Sequence, residues 1–229
     1  MKKHIPSHLA IIPDGNRRWA KKKKLSTKKG YATGIAHIGD VLKWCRASGI
    51  HMLSMWGFSM DNFRRNRQEV GTLFELFQEN LRKALTSDKR NRYEVRVRFF
   101  GRLHLFPKQI QDMIRKAEEV SGKNRKYQLN LFLAYGGREE MVDAVNALIR
   151  EGKKEVTEAD ISRHLYTRDV PDPDLIIRTS GEQRLSGLMP WQSCYSEFYF
   201  SKKLWPDFKK SDFDAALKEY ARRKRRFGK

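Results

Sequence analysis

The chain has 229 residues, and its 48 Lys and Arg against 27 Asp and Glu give a formal net charge of +21. A chain of this length can bury a sizeable core, and the 39% hydrophobic content supplies one, which excludes an intrinsically disordered protein. The charge favours a polyanionic partner. Three classes remain: nucleic acid, an anionic membrane surface and a phosphorylated substrate.

The cysteines and the N-terminus indicate no export route. Cys45 and Cys194 are far apart and form no metal-binding spacing, which is typical of a reduced, cytoplasmic protein. The apolar stretch 9–12 is shorter than the roughly 7–15 residues of a secretory signal. The longest apolar run, 131–135, is far below the roughly 20 residues of a membrane span. We therefore expect a cytoplasmic protein that does not cross a membrane.

Short apolar runs alternate with amphipathic segments along the chain. The predicted strands are 8–12, 51–58, 94–100, 128–134, 174–178 and 197–200. A helix is expected to begin near Asn16 or Arg17, and further helices are predicted over 35–48, 69–85, 107–121, 139–150, 157–165 and 211–226. This alternation predicts an α/β fold with about six mostly parallel strands in a central sheet flanked by helices. Since no repeat or linker interrupts it, we expect residues 1–229 to form a single domain.

Two segments, 17–29 and the last nine residues, are rich in Lys and Arg. No helix-turn-helix, zinc knuckle or ribonucleoprotein motif accompanies them, so we expect no nucleic-acid partner. One alternative is that these side chains are simply solvated. The other is peripheral association with the acidic inner face of a membrane, to which each basic residue would contribute about 1 kcal/mol.

Four loops that directly follow predicted strands carry arginine, carboxylate, hydroxyl or glycine residues. They are 13–20, 58–65, 135–139 and 178–186. In a parallel sheet the carboxyl ends of the strands meet at one edge, where helix N-termini favour phosphate oxygens. Asp14 can bind Mg²⁺ together with phosphates, and Arg178 and Arg184 can pair with phosphate through two nitrogens each. The alternatives are an ordinary capped turn at Asp14 and an inter-subunit ion pair for the arginines. Together the loops predict a site for a highly anionic substrate.

The chain resembles the cis-prenyltransferases, the undecaprenyl diphosphate synthase family, over nearly its full length. The matching segments are HLAIIPDGNRRWA at 8–20, FSMDN at 58–62, YGGR at 135–138, IRTSGEQRLS at 177–186, WQS at 191–193, YSEFYF at 195–200, LWPDF at 204–208 and RRFG at 225–228.

The resemblance implies an Mg²⁺-dependent enzyme that joins isopentenyl diphosphate to an allylic prenyl diphosphate. Pyrophosphate is released, and the product is a Z-configured polyprenyl diphosphate, a lipid-carrier precursor. The resemblance also implies a homodimer and an apolar tunnel for the growing chain. Candidates for the tunnel wall, for which core packing is the alternative role, are Met52, Met55, Trp56, Phe74 and Phe77.

The resemblance further assigns residues to the site. Asp14 and Asn62 would be catalytic, and Asp14 and Glu197 would serve the metal. Asn16 and Arg18 would bind the allylic diphosphate, with Arg65 nearby. Isopentenyl diphosphate would bind to Arg178, Arg184 and Ser186. The remaining substrate-binding candidates are Gly15, Arg17, Trp19, Lys28, Tyr31, Ser59 and Phe63.

The chain departs from the family pattern at four positions, two of which, Tyr31 and Thr27, fall where the family binds the allylic diphosphate. Tyr31 stands where the family usually has histidine and Thr27 where it has arginine, while Phe63 and Ala134 replace a tryptophan and an asparagine. Lys28 or Lys29 can supply a point charge, but neither offers a bidentate fork. Two alternatives follow: an atypical condensation with a short or non-head-to-tail product, and a non-catalytic partner subunit.

Overall fold

The structure, a computed structural model, describes residues 4–86 and 94–223. Six strands in these ranges form one sheet: β1 His8–Ile12, β2 Met52–Ser59, β3 Val95–Phe100, β4 Tyr127–Tyr135, β5 Leu175–Arg178 and β6 Glu197–Phe200. The strand order is β3-β4-β2-β1-β5-β6, and every neighbouring pair is parallel. The predicted α/β fold and all six predicted strands are confirmed.

The described chain contains seven α-helices, of which the first six lie between strands and the last follows β6: α1 Asn16–Lys22, α2 Thr27–Ala47, α3 Arg67–Thr86, α4 Lys108–Ser121, α5 Gly137–Arg150, α6 Glu158–His164 and α7 Lys210–Arg222. The main difference from the sequence prediction is α2, which begins eight residues before the predicted 35. The Ser26 side chain caps it by accepting from the Lys29 amide. Residues 224–226 of the last predicted helix lie outside the described residues. No helix of the described ranges has the length and apolar character of a membrane span.

Both faces of the sheet are buried, as the continuous apolar runs predict. In β1, Leu9 and Ile11 pack with α2 and α7, while Ala10 and Ile12 pack into a separate cluster on the other face. Because side chains alternate along a strand, each strand contributes to two cores. Helices therefore cover the sheet on both sides.

The carboxyl ends of four strands meet at one edge. Ile12 is in register with Arg178, and Ser59 with Tyr135. The loops beyond them contain unusual backbone geometry, because Ser180 and Ser186 adopt left-handed φ angles of 80° and 52°. Such angles are unfavourable for residues other than glycine, and they persist only where the surrounding structure stabilises them. The fold thus places the four loops singled out in the sequence side by side.

Candidate active site

A cavity of about 1010 Å³ opens at this edge and extends beneath α3. Its polar end is lined by residues that include Asp14, Asn16, Arg17, Arg18, Tyr31, Ser59, Asn62, Arg65, Arg178 and Ser186. The other end, which we call the apolar end, is lined by Ile35, Ile38, Leu73, Phe77, Asn80, Leu81, Ala84, Val97, Phe99, Ala117, Leu129, Leu131 and Leu133. One cavity therefore combines a strongly basic mouth with a hydrocarbon-like interior.

Arg178, at the end of β5, organises one side of the mouth. Its side chain is only 5% exposed, and its guanidinium donates to Asp14 Oδ2 at 2.9 Å, to Ser186 Oγ at 2.7 Å and to the Arg184 carbonyl at 2.5 Å. The buried Nε donates to no described residue. Arg178 is thus fixed from several directions and keeps a spare donor.

Asp14 is the carboxylate that faces this arginine. Burial opposes its ionisation, but hydrogen bonds from Arg178 and Ser180 and the charges of Arg178 and Arg18 outweigh burial. The pKa of Asp14 therefore lies below its ordinary value, and the group stays an anion.

Arg18 extends the cluster toward the loop after β5. It donates to Ser180 Oγ at 2.6 Å and pairs with Glu182 at 3.2 Å, and Glu182 also accepts from Arg184 at 2.6 Å. Arg184 is 60% exposed, so it can swing toward a ligand. Glu182 belongs to the 178–186 motif, but the sequence analysis assigned it no function. Its position in the sequence between Arg178 and Arg184 is a signal that could have identified it.

A second cluster lies across the mouth and involves Tyr31 of α2. The Tyr31 hydroxyl donates to Glu69 Oε1 at 2.5 Å and accepts from Arg65 Nη1 at 2.6 Å. Arg65 also pairs with Glu69 at 3.0 Å, and Arg17 approaches the same oxygen at 3.8 Å. Burial, and then the hydrogen bond to Glu69, raise the pKa of Tyr31 well above its usual value, so the phenol keeps its proton.

The sequence analysis did not identify Glu69 as a residue of the site. The spacing of four residues between Arg65 and Glu69 is that of a helical ion pair and could have pointed to it. Its function in the cluster is to hold two arginines and one phenol at the cavity mouth.

Asn62 and Ser59 lie at the end of β2. Asn62 Oδ1 accepts from the Ser59 amide at 3.2 Å, which fixes the short 3-10 helix Met60–Arg64. The Asn62 Nδ2 donates to no described residue, and both residues line the cavity. This side-chain amide is held in place with donor capacity left for a ligand.

The first loop approaches the cavity through Gly15 and Asn16. Gly15 has a φ of 109°, and an added Cβ would lie 2.9 Å from Leu204 Cδ2, so a side chain is excluded by both backbone and packing. Asn16 Nδ2 donates to the Pro13 carbonyl at 3.1 Å. Its buried Oδ1 has no hydrogen-bond partner among the described residues.

Some of the predicted site residues lie outside the cavity lining of the described chain. They are Trp19, Lys28, Phe63, Arg184 and Glu197. Trp19 donates its indole N–H to Asp207 at 2.8 Å, and Lys28 pairs with Glu75 at 2.9 Å on the surface. Phe63 packs edge-on against Phe58, with ring centroids 4.9 Å apart. Arg184 stands at the rim, where it pairs with Glu182.

Glu197 begins the edge strand β6, in register with Leu175 rather than with Arg178, and pairs with Arg223 at 2.6 Å. One chain does not bring Glu197 to Asp14. Its predicted metal role therefore depends on a second copy and stays a prediction.

Two of the five tunnel candidates, Trp56 and Phe77, line the cavity. Met55 is fully buried in the core beneath α2, and Phe74 packs on Phe58 and Phe106. Met52 is not among the cavity-lining residues of the described chain either.

The donor set at the mouth fits Mg²⁺ only if a ligand completes it. In the described ranges, no three or more His, Cys, Asp or Glu side chains are close enough to hold a metal. Asp14 is 32% exposed, and the other lining aspartate, Asp61, is 75% exposed and faces Arg64. Mg²⁺ commonly uses one or two carboxylates together with substrate phosphates. Asp14 is therefore a suitable single protein ligand.

The chain is similar to known proteins in both sequence and structure. Residues 12–228 match the Prenyltransf family model (undecaprenyl diphosphate synthase). An isoprenyl transferase of Thermus thermophilus is 47% identical over 98% of this chain and 89% of its own length. A tritrans,polycis-undecaprenyl-diphosphate synthase (geranylgeranyl-diphosphate specific) of Methanocaldococcus jannaschii is 43% identical over 100% of this chain and 84% of its own. The crystal structure of lavandulyl diphosphate synthase from Lavandula x intermedia, in complex with dimethylallyl diphosphate, has a TM-score of 0.89 at 36% identity, covering 98% of this chain and 99% of that one.

Proposed function

Because the chain belongs to the undecaprenyl diphosphate synthase family and is a prenyltransferase, we propose that it condenses isopentenyl diphosphate with an allylic prenyl diphosphate to form a Z-configured polyprenyl diphosphate. The observation that carries this proposal is the single cavity with a basic mouth and an apolar end. Two diphosphates suit the mouth, since guanidinium groups pair with phosphate oxygens. A growing hydrocarbon chain suits the apolar end.

The two diphosphates are assigned to different parts of the mouth. Isopentenyl diphosphate binds Arg178, Arg184 and Ser186, which the fold brings together. The allylic diphosphate binds across the mouth, between Arg18 and Asn16 on the first loop and Arg65 on the other side. Support for this allylic site is that Asn16, Arg18 and Arg65 all line the same cavity.

The reaction breaks the allylic carbon–oxygen bond, joins that carbon to the terminal alkene carbon of isopentenyl diphosphate and releases one proton and pyrophosphate. Negative charge grows on the leaving allylic diphosphate, and the guanidinium groups of Arg18 and Arg65 stabilise it, while the fixed Arg178 holds Asp14 at 2.9 Å beside it. Mg²⁺ held by Asp14 would add positive charge at the same oxygens. Asn62 orients a substrate group through its spare amide donor.

We also propose that the protein acts as a homodimer. Helix α5 exposes an apolar stripe: Val142, Val145 and Ile149 are 54%, 40% and 64% exposed. Their spacing puts them on one helical face, and covering that face with a second copy would remove it from water. Sedimentation of Val145→Glu, which should be monomeric where the unmodified chain is dimeric, checks this assignment. A dimeric variant would exclude α5 as the interface.

We also propose that the protein is cytoplasmic and associates peripherally with a membrane surface, because its proposed product is a lipid. Lys22, Lys202, Lys203 and Lys209 surround a smaller cavity of about 270 Å³. None of the four forms an ion pair within the described chain. We expect co-sedimentation with vesicles containing acidic lipids that weakens as salt rises, because such attraction is screened.

A second candidate function is an atypical condensation that gives a short or non-head-to-tail product. The departures on the allylic side favour it, since Tyr31 and Thr27 stand where the family usually has histidine and arginine, and the Tyr31 phenol is held between Arg65 and Glu69. The similar structure named above is that of a lavandulyl diphosphate synthase with dimethylallyl diphosphate bound.

A product assay distinguishes the two candidates. The protein is incubated with Mg²⁺ and labelled isopentenyl diphosphate, and dimethylallyl, farnesyl or geranylgeranyl diphosphate is offered separately. Products are resolved by mass and double-bond geometry. A ladder of Z-linked products supports elongation, whereas one short or irregular product supports the second candidate. No product with any primer contradicts both and favours a non-catalytic partner subunit.

The metal role is tested in the same assay. Asp14→Ala should lower turnover by roughly 100-fold or more, because the metal loses its protein ligand. Asp61→Ala is the matched control: it also removes a carboxylate from the cavity lining, but an exposed one that faces Arg64. Equal losses in the two variants, or full activity with a chelator present, would contradict the assignment.

A further inference from the structure

The apolar end of the cavity contains one polar side chain among its described lining residues, Asn80. It lies on α3 between Phe77 and Ala84, which line the same cavity, as do the sheet residues Val97 and Leu129. Leu76 and Leu81 of the same helix belong to the buried hydrophobic cluster on this side of the sheet. A polar amide in this position needs a reason, because it exposes hydrogen-bonding atoms to an apolar space.

Asn80 lies well inside the cavity rather than at its mouth. Helix α3 begins just beyond the carboxyl end of β2, and Glu69 of its first turn belongs to the mouth cluster. Asn80 follows Glu69 by eleven residues, which is about 16 Å along the helix axis at 1.5 Å per residue. Ala84 lies about 6 Å further. The cavity therefore continues past Asn80.

Only part of the Asn80 amide is satisfied by the protein. Nδ2 donates to the Leu76 carbonyl at 2.7 Å, the carbonyl one turn earlier. Oδ1 accepts from no described residue, and it is not among the fully buried atoms that lack a partner, so it borders accessible space. While the cavity is filled with water, that oxygen can be hydrated. A hydrocarbon chain that covers it offers no donor in exchange.

We propose that Asn80 limits the length of the prenyl product by polarity rather than by size. This inference rests on the proposed function, in which the growing chain enters the apolar end. Each condensation pushes the tail deeper, and the step that covers Asn80 Oδ1 must strip its hydration. An unsatisfied amide then disfavours the longer occupant by about 10-fold, which favours release over another condensation.

A pair of similarly sized substitutions separates polarity from volume. Asn80→Leu keeps roughly the same size and removes the polar atoms, so longer products should rise about 10-fold relative to shorter ones. Asn80→Asp keeps the size and adds charge, so products should become shorter. The measurement is the product mass distribution at a fixed ratio of isopentenyl diphosphate to primer.

Gln78→Leu is the matched control on the same helix. Gln78 bonds Gln109 at 3.2 Å on the surface and does not line the cavity, so its substitution should leave the distribution unchanged. Unchanged lengths in both Asn80 variants, or shorter products from Asn80→Leu, would overturn the inference while leaving the proposed function intact. Failure of the unmodified protein to make any prenyl product would instead overturn the proposed function.

Discussion

The two arginine clusters at the cavity mouth are built differently. Arg178 leaves the end of a central strand, is 5% exposed and is held by the backbone carbonyl of Arg184 as well as by side chains. Arg65 and Arg17 are 27% and 58% exposed and converge on one carboxylate, Glu69. The first cluster is fixed by the sheet, whereas the second is assembled from separate helices.

This difference predicts different kinetic functions. The fixed guanidinium of Arg178 holds Asp14, the proposed metal ligand, at 2.9 Å, so its loss should lower kcat. Arginines paired with Glu69 must exchange that carboxylate for a diphosphate, so changes there should act mainly on substrate binding. The contrast can be tested by substitutions on each side.

The largest effect is expected for Arg178→Lys. Lysine keeps the charge but loses the fork that reaches Asp14, Ser186 and the Arg184 carbonyl together. We expect kcat/KM to fall by roughly 100- to 1000-fold, mostly through kcat. Arg184→Lys, at a 60% exposed position, is the control and should lose about 10-fold. Similar losses in both variants would show that the fixed geometry of Arg178 has no special importance.

A buried histidine, His8, lies at the start of β1, at the other end of that strand from the first cluster. His8 Nδ1 contacts the Pro171 carbonyl at 2.7 Å and Nε2 contacts Ser54 Oγ at 2.7 Å, which joins β1 to β2 and to the segment before β5. Since the carbonyl can only accept, Nδ1 carries the proton in the neutral ring. Burial lowers the pKa of His8 to about 4, despite the opposing hydrogen bond to Pro171.

A pH-dependent stability follows. Between pH 6.5 and 4 the unfolded chain binds a proton at His8 that the folded chain does not, so acid favours unfolding. About 3 kcal/mol of unfolding free energy should be lost across this window, in addition to other groups. Urea unfolding at several pH values measures it, and His8→Gln should flatten the dependence. An equally steep dependence in that variant would assign the loss to other residues.

Helix α2 contributes Tyr31 to the second cluster and also packs against Asn16 through Gly34. Alanine substitutions at two glycines of this helix test that packing. A Cβ added at Gly34 would lie 2.1 Å from Asn16 Oδ1, whereas one added at Gly39, on the same helix, would meet nothing within 4 Å. Gly34→Ala should therefore displace Asn16 and cost about 1–3 kcal/mol of unfolding free energy. Gly39→Ala should gain about 0.5–1 kcal/mol. The midpoint of thermal unfolding measures both effects. Midpoints that shift in the same direction in the two variants would contradict this packing.

Much of the fold was predictable because buried parallel strands are continuous apolar runs, as 8–12 and 174–178 show. The start of α2 could not be predicted in this way, because its first turns contain lysines and glycines and no apolar stripe. The motifs identified the residues of the mouth, but Glu69 and Glu182 became visible only once the chain brought arginines around them. Conversely, the motif residues Trp19 and Phe63 make contacts within the protein, a hydrogen bond to Asp207 and ring packing on Phe58, which a linear pattern cannot distinguish from ligand contacts.

The smallest effect is expected on the allylic side, for Tyr31→Phe. The substitution removes the hydroxyl between Arg65 and Glu69 but leaves their direct 3.0 Å pair, so Arg65 is less well positioned rather than freed. We expect the KM for the allylic diphosphate to rise about 10-fold, with kcat and the KM for isopentenyl diphosphate nearly unchanged.

Tyr31→His restores the residue usual in the family and separates loss from specialisation. If Tyr31 is a weakened version of a diphosphate ligand, the histidine variant should elongate faster than the unmodified protein. If the phenol is needed to keep Arg65 beside Glu69, that variant should be slower and share the raised allylic KM of Tyr31→Phe. A fall in kcat with both KM values unchanged would contradict the division of labour between the clusters, because the helix-borne cluster would then act on the chemical step, as the sheet-borne one does.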